Sequence, residues 1–415
     1  MTAQDRTLGH LQDRPLGHLK VLDLAWVVAG PIVGRVLADH GATVVRVESS
    51  RRVETARVMG PFPGGVLDPQ KSELFENCNA GKLGLVLDLS SSEGQEVIRD
   101  LVVWCDVVIE SFSPGQMARW GLSYEALAQI RPGLVMLSTS LMGQSGPYSS
   151  FAGYGNIGAA MSGFQNLLGW PGELPIGPYG PYTDYVAPRF SILALLAALD
   201  QRDRTGEGCW IDVSQAEAGI QFLAPQIVEY GATGRIAGAD GNRDPHMSPH
   251  GVFPGLGGED AWVAIAVRDD AEWRRLAGLI GGDTLAADEH FLTLAGRKAN
   301  EDALEAIVAA WTAARTPHAV EALLQAGGIP AHVAASSADF VNDPHLVARG
   351  HLIRLPHPLM GESVVEGPRF ILSETPGRPA TCAPTFGRDE QHILADLLGY
   401  DGARIAALHQ AGVLV

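Results

Sequence analysis

Lys20-Val-Leu-Asp-Leu24, Ile32-Val-Gly-Arg-Val-Leu-Ala-Asp-His40 and Thr43-Val-Val-Arg-Val-Glu48 follow one another with short joins and read as strand, helix, strand. The alternation continues. Leu85–Leu89, Val107–Glu110 and Leu134–Ser138 are further strand candidates, with helices expected over Ser92–Trp104 and Tyr124–Ile130. Such alternation predicts a doubly wound, largely parallel sheet. Sheets of that kind bind ligands beyond the carboxyl ends of their strands. The first strand runs into Ala25-Trp-Val-Val-Ala-Gly-Pro31 rather than a GxGxxG loop, which argues against a dinucleotide site.

The second half of the chain is patterned differently. Residues 231–260 are rich in Gly, Pro, Asn and Asp, and an irregular stretch of this length serves a function or joins domains. Trp262-Val-Ala-Ile-Ala-Val267 reads as a buried strand, and Glu272–Ile280 and Asn300–Ala314 read as helices. The expected division is a large α/β domain over 19–225, a smaller α+β domain over 226–330, and a segment 331–415 with a final helix over Arg388–Leu398. Asp5-Arg-Thr-Leu-Gly-His-Leu11 nearly repeats as Asp13-Arg-Pro-Leu-Gly-His-Leu19, and residues 1–18 are read as a flexible tail.

Composition narrows the function. With 30 basic and 47 acidic residues the formal charge is −17, against the basic stripe that a nucleic-acid surface needs. A small anionic ligand needs only a local basic patch. Cys78, Cys105, Cys209 and Cys382 form no CxxC pair, which fits free thiols in a reducing, cytoplasmic setting and gives no support to a metal site. Met1-Thr-Ala-Gln-Asp-Arg6 lacks the apolar core of a signal peptide, and no run of apolar residues is long enough for a membrane span.

Gly177-Pro-Tyr-Gly-Pro-Tyr-Thr-Asp184-Tyr-Val-Ala-Pro188 leads into the apolar run Arg189-Phe-Ser-Ile-Leu-Ala-Leu-Leu-Ala-Ala-Leu199. The run predicts a buried helix, with Asp184 where the helix begins and backbone N–H groups point outward. That setting favours an ionised carboxylate with a lowered pKa. Two roles stand open for it, a helix cap and a nucleophile towards an activated acyl group.

This segment, Val21–Pro31 with Leu37–Glu48, and Arg204-Thr-Gly-Glu-Gly-Cys-Trp-Ile-Asp-Val-Ser-Gln-Ala-Glu217 together resemble the class III CoA-transferase family, also called the carnitine dehydratase/bile-acid-inducible F type. Asp106-Val-Val-Ile-Glu-Ser-Phe-Ser-Pro-Gly115, Gly143-Gln-Ser-Gly-Pro147 and Ala348-Arg-Gly350 add to the resemblance, which runs from about Leu19 to the C-terminus. It implies a Rossmann-like large domain to which the 331–415 segment returns, and two ring-like subunits interlocked as a homodimer. It implies acyl-CoA and carboxylic acid substrates, with coenzyme A as substrate and no tightly bound cofactor, and Asp184 as covalent nucleophile. Implied coenzyme A contacts are Val27, Ala29, Arg46, Lys82 of the Asn79-x-x-Lys82 segment, Ser111, Phe112 and Arg119. Coenzyme A carries three phosphate groups, and Arg46, Arg51, Arg52, Arg57, Lys71 and Lys82 cluster in an otherwise acidic chain.

Two departures bear on the reaction. Formyl-CoA transferases carry a Gln where this chain has Val28, so a short polar dicarboxylate loses a partner; with Trp170, Tyr179, Tyr182 and Tyr185 near Asp184 in sequence, a larger and partly apolar or aromatic acyl group is expected. Related 2-methylacyl-CoA racemases place a His-Asp pair at Tyr154-Gly155, and a phenol is a poor proton carrier at neutral pH. The expected activity is therefore transfer of CoA between carboxylic acids. An acyl-CoA racemase or epimerase and a non-catalytic acyl-CoA-binding protein are the alternatives.

Overall fold

Valine-rich runs bounded by polar joins give the strands of the larger unit, and apolar residues at helical spacing give its helices. The computed structural model describes residues 13–414. In chain order the elements that matter for the site are β1 (Lys20–Asp23), α1 (Ala29–Asp39), β2 (Thr43–Glu48), α2 (Glu73–Asn79), β3 (Leu83–Val86), α3 (Ser92–Trp104), β4 (Val107–Glu110), α4 (Tyr124–Ile130), β5 (Val135–Ser140), α5 (Gly155–Ser162), α6 (Tyr182–Thr205), β6 (Cys209–Ser214) and α7 (Gln215–Ile220). The six strands form one sheet in the order β3-β2-β1-β4-β5-β6, parallel throughout. Val21 of β1 stands beside Val44 of β2 on one side and Val107 of β4 on the other.

Both faces of the sheet are covered, as a parallel sheet requires. Val21, Val44, Val107 and Ile109 pack with Val33 and Leu37 of α1 and Leu195 and Leu199 of α6. Their strand neighbours Leu22, Val45 and Val108 point the other way, into a core with Val97, Ile98 and Leu101 of α3 and with Ile393, Leu394, Tyr400, Ile405 and Leu408. The strand order reverses between β1 and β4, so the crevice for a ligand opens past the carboxyl ends of those two strands.

By contact the chain divides into two units. The larger takes residues up to 166, 176–237 and 350–415; the smaller takes 167–175 and 238–349. These divisions differ from the expected boundaries at 225/226 and 330/331. The smaller unit has an antiparallel sheet of β7 (His250–Pro254), β8 (Trp262–Ala266) and β9 (Ala331–Val333). Helices Asp270–Ala286, Glu301–Ala313 and Pro317–Ala326 contribute to its core with Trp273, Leu304 and Val320, against Val263 and Ile265 of β8. The larger unit also holds a hairpin of β10 (Leu352–His357) and β11 (Gly361–Glu366).

Three local expectations change. The helix expected after Pro188 begins earlier, at Tyr182, with Pro188 inside it. That helix is half exposed rather than buried: Leu195 and Leu199 are covered, while Leu193 and Leu196 are 69% and 41% exposed. The expected helix Arg388–Leu398 is the shorter His392–Leu397, wound more widely than an α-helix, and a helix at Gly402–Gln410 follows it. Residues 1–12 of the expected tail, including the first copy of its repeat, lie outside the described residues. Within 13–18, the Leu16 N–H donates to His40 O at 3.0 Å and Arg14 donates to Arg378 O at 2.7 Å.

Candidate active site

The chain leaving β1 turns sharply to start α1, and this turn forms one wall of the β1/β4 crevice. Val27 has φ 68°, the one non-glycine residue with positive φ among the described residues. A β-branched side chain in the left-handed region is a true outlier. Three consecutive amides of the turn are each taken by a side-chain oxygen from a different place. Ala25 N–H donates to Asp23 Oδ1 at 3.0 Å, Trp26 N–H to Ser111 Oγ at 2.8 Å, and Val27 N–H to Glu54 Oε2 at 2.8 Å. Ser111 returns a longer bond to Trp26 O, at 3.4 Å. Trp26 and Ser111, 85 residues apart, thus meet where the chain leaves β1 and β4. Phe112 is half-buried, its ring edge-on to Trp26 at 6.1 Å and to Trp120 at 5.0 Å. Ala29 opens α1, whose N-terminus has no side-chain cap.

Arg46 and Lys82 are not at the surface of that crevice. Both are wholly buried. Arg46 pairs with Glu54 at 2.6 Å, approaches Asp23 at 3.6 Å and donates to Ala25 O. Lys82 Nζ donates to Asp23 Oδ2 at 2.6 Å, Asn79 Oδ1 at 2.7 Å and Pro31 O at 2.8 Å. An ammonium with three acceptors has no donor left for phosphate. The direct phosphate contact expected of these two residues is therefore revised: they form a buried ionic network beneath the turn. Arg57 is likewise committed, to Glu48 by two bonds of 2.6 Å. Arg119 and Arg52 differ. Arg119 is exposed, held only by Gln116 Oε1 of its own short helix, and Arg52 is exposed over the Trp26 ring at 5.4 Å.

Asp184 lies in the first turn of α6, where α5, α6 and α7 close on one another. Its Oδ2 accepts the Gly155 N–H at 3.1 Å, and Thr183 Oγ1 donates to Gly155 O at 3.1 Å. The fit requires glycine: a Cβ on Gly155 would stand 2.5 Å from both Asp184 N and Pro181 O. Asp184 is 4% exposed. Burial pushes its carboxyl up to about 6, against the opposing pull of the Gly155 N–H and the Gln215 side chain. The lowered value expected from the helix N-terminus is thus overturned, because desolvation outweighs the helix field. A carboxylate that water reaches poorly, and that is ionised at neutral pH, is a stronger nucleophile than a solvated one.

Tyr154 immediately precedes Gly155, and its OH lies 3.4 Å from Thr55 Oγ1, next to Glu54. This contact links the Asp184 corner to the turn at β1. Of the aromatics near Asp184 in sequence, Tyr185 stays within electrostatic reach of it. Trp170 belongs to the smaller unit, Tyr179 is fully exposed, and Tyr182 packs edge-on against Phe164 at 5.0 Å. Tyr185 lines a mostly apolar cavity of about 400 Å³ with Ile32, Val36, Ile192 and Phe370.

Among the described residues one group of metal-donor atoms lies together, on Glu76, His357 and Cys382, all buried. His357 Nδ1 accepts the N–H groups of Leu359 and Met360, each at 3.1 Å. The ring proton is therefore on Nε2, which faces Glu76 Oε1 at 3.2 Å. A histidine ligand needs a lone pair at that nitrogen and a proton to give from the other. The group reads as a tie between α2 and the β10–β11 hairpin, not as a metal centre.

Sequence reasoning gave no role to Glu54, Asp23 or Gln215, and named Gly155 only as a departure from the racemase His-Asp pair. Only Gly155 left a trace, in the spacing Gly155-x-x-Gly158 at the start of α5; a Cβ on Gly158 would meet Thr183 Oγ1 at 2.3 Å.

The family model described as CoA-transferase family III matches residues 16–390. A succinyl-CoA–D-citramalate CoA-transferase of Chloroflexus aurantiacus is 33% identical over 95% of this chain and 97% of its own. A succinate–glutarate CoA-transferase of Agrobacterium fabrum is 33% identical over 91% and 94%. A crystal structure of a CAIB/BAIF family protein from Brucella suis superposes with a TM-score of 0.85 at 33% identity, covering 93% of this chain and all of that one.

Proposed function

The chain belongs to CoA-transferase family III, and from that premise we propose that it moves CoA from an acyl-CoA donor to a carboxylic acid through Asp184. The observation that carries the reading is the shielded Asp184 carboxylate, held by one backbone N–H at the first turn of α6. One Asp184 oxygen attacks the thioester carbonyl. The C–S bond breaks, giving an acyl-aspartyl anhydride and CoA thiolate. The thiolate attacks the Asp184 carbonyl, which frees the donor acid and leaves an aspartyl-CoA thioester. The acceptor carboxylate attacks that thioester and expels CoA thiolate, and the thiolate takes the acceptor acyl group from the second anhydride. Asp184 is regenerated, and no net proton is consumed. Each step exchanges one activated acyl bond for another, so the protein's task is to hold the partners and keep water out.

The turn at Val27 and Ala29, with Ser111 and Phe112, is proposed to seat the pantetheine end of acyl-CoA at the β1/β4 crevice, with exposed Arg119 reaching a phosphate. The acids named for the relatives, citramalate and glutarate, make dicarboxylic acids of that length the first acceptors to try, with apolar and aromatic acids beside them in the same panel. A homodimer is proposed from the resemblance and from the exposed apolar residues Leu193, Leu196, Ile227 and Val228. The test is a matrix of acyl-CoA donors and free acids, read by mass spectrometry of the CoA esters formed. New esters are expected with wild type and none with Asp184→Asn; acyl-CoA binding with no transfer to any acid would favour a binding protein.

A further inference from the structure

We infer that Glu54 is a positioning residue for acyl-CoA: its buried carboxylate, braced by Arg46, holds the turn after β1 in the left-handed conformation at Val27. The inference rests on the proposal that this turn seats acyl-CoA. Valine does not take φ 68° unaided. A strained residue persists when its surroundings over-determine it, and such residues gather at functional sites. Here the surroundings are explicit. Glu54 is wholly buried, and its two oxygens are divided, Oε1 to Arg46 Nη2 at 2.6 Å and Oε2 to the Val27 N–H at 2.8 Å. Arg46 uses its other amino group on Ala25 O, so the pair grips the turn at two points, and Asp23 takes the Ala25 N–H between them.

A buried ion pair is often no more than filler. The protein supplies its own control. Glu48 and Arg57, close by, form a pair of equal burial with two bonds of 2.6 Å, and that pair makes no hydrogen bond to Ala25, Trp26 or Val27. Loss of a structural pair is common to both sites; loss of the turn belongs to Glu54 alone.

The experiment uses the full chain and the unreactive thioether S-butyl-CoA as probe, with amide exchange at Val27 followed without ligand. Glu54→Gln leaves one acceptor oxygen where two served the Arg46 guanidinium and the Val27 N–H, so it is expected to loosen the Val27 amide to exchange and to weaken the probe at least about tenfold, the scale of a lost bond to a charged group. Glu48→Gln should lower the unfolding temperature yet leave probe affinity and Val27 protection as in wild type. Adding Val27→Gly to Glu54→Gln should recover affinity by about threefold or more, since glycine takes positive φ without a Cβ clash. If Glu54→Gln does not fold, Arg46→Met/Glu54→Leu removes both charges together, and the same loss and the same glycine rescue are expected. Wild-type affinity in either variant, or an equal loss in Glu48→Gln, would overturn the inference. A wild-type protein that fails to bind the probe would instead remove the functional reading, while Val27 exchange would still decide whether Glu54 holds the turn.

Discussion

Asp184 carries opposing demands. As a nucleophile it must be ionised, and as a buried group it resists ionisation; burial wins far enough to lift its pKa to about 6. A carboxyl whose folded pKa lies above its unfolded value binds its proton more tightly when folded. Stability then falls as pH rises from about 4 to about 6 and levels off above. Asp184→Asn removes that penalty while keeping an acceptor for the Gly155 N–H. The variant is expected to be more stable than wild type at pH 8, by no more than roughly 3 kcal/mol, and the gain should vanish near pH 4. Thermal unfolding at the two pH values checks this; a gain independent of pH would mean that Asp184 ionises freely. Attack by the carboxylate has the opposite requirement, so the acylation rate should rise with pH up to about 6 and then flatten.

At the scale of elements, the junction of β1 and α1 sets the site, and it sorts the basic residues into two kinds. Lys82→Ala leaves Asp23 buried with Arg46 at 3.6 Å in place of its 2.6 Å partner, and should cost about 3–5 kcal/mol of stability. Arg119→Ala should leave the unfolding curve unchanged and raise the KM for acyl-CoA, by the loss of an exposed guanidinium. Denaturant unfolding and steady-state kinetics on both variants separate the two; a Lys82→Ala protein of wild-type stability would return Lys82 to the ligand set. This division was not legible in the sequence. A charged residue in a valine run looks the same whether it meets solvent or a partner, and Asp23 lies 59 positions from Lys82. The strands themselves were legible, β2 and β4 to the residue, because each is a short apolar run between polar joins. Cys209–Ser214 alternates apolar and polar residues at the sheet edge and does not stand out as a strand in the sequence. The corner of α5, α6 and α7 is half visible: Asp184 stands out at a helix start, whereas Gln215 lies within a quoted segment in which nothing local marks it as a partner of Asp184.

At the scale of the whole molecule, the larger unit leaves apolar helical surface uncovered. Leu193 and Leu196 of α6 and Phe222, Ile227, Val228 and Tyr230 after it are all exposed, and the helix Ala224–Thr233 buries none of its residues. A patch of this kind marks a protein interface. The proposed homodimer should persist in sedimentation at nanomolar concentration, and Leu193→Glu/Val228→Glu should weaken it. A wild-type monomer at micromolar concentration would contradict the proposal. The sequence pointed to the dimer only through family resemblance, because a helix that looks buried from its composition reads alike whether its cover is the same chain or another.

The central claim is that Asp184 carries the acyl and CoA groups in turn. Enzyme mixed with an acyl-CoA that it turns over, without acceptor acid, and then treated with hydroxylamine should lose activity and carry a hydroxamate at Asp184 in the mass spectrum of its peptides; Asp184→Asn should acquire none. Hydroxamate mapped reproducibly to another carboxylate, or near-normal transfer by Asp184→Asn, would contradict the account.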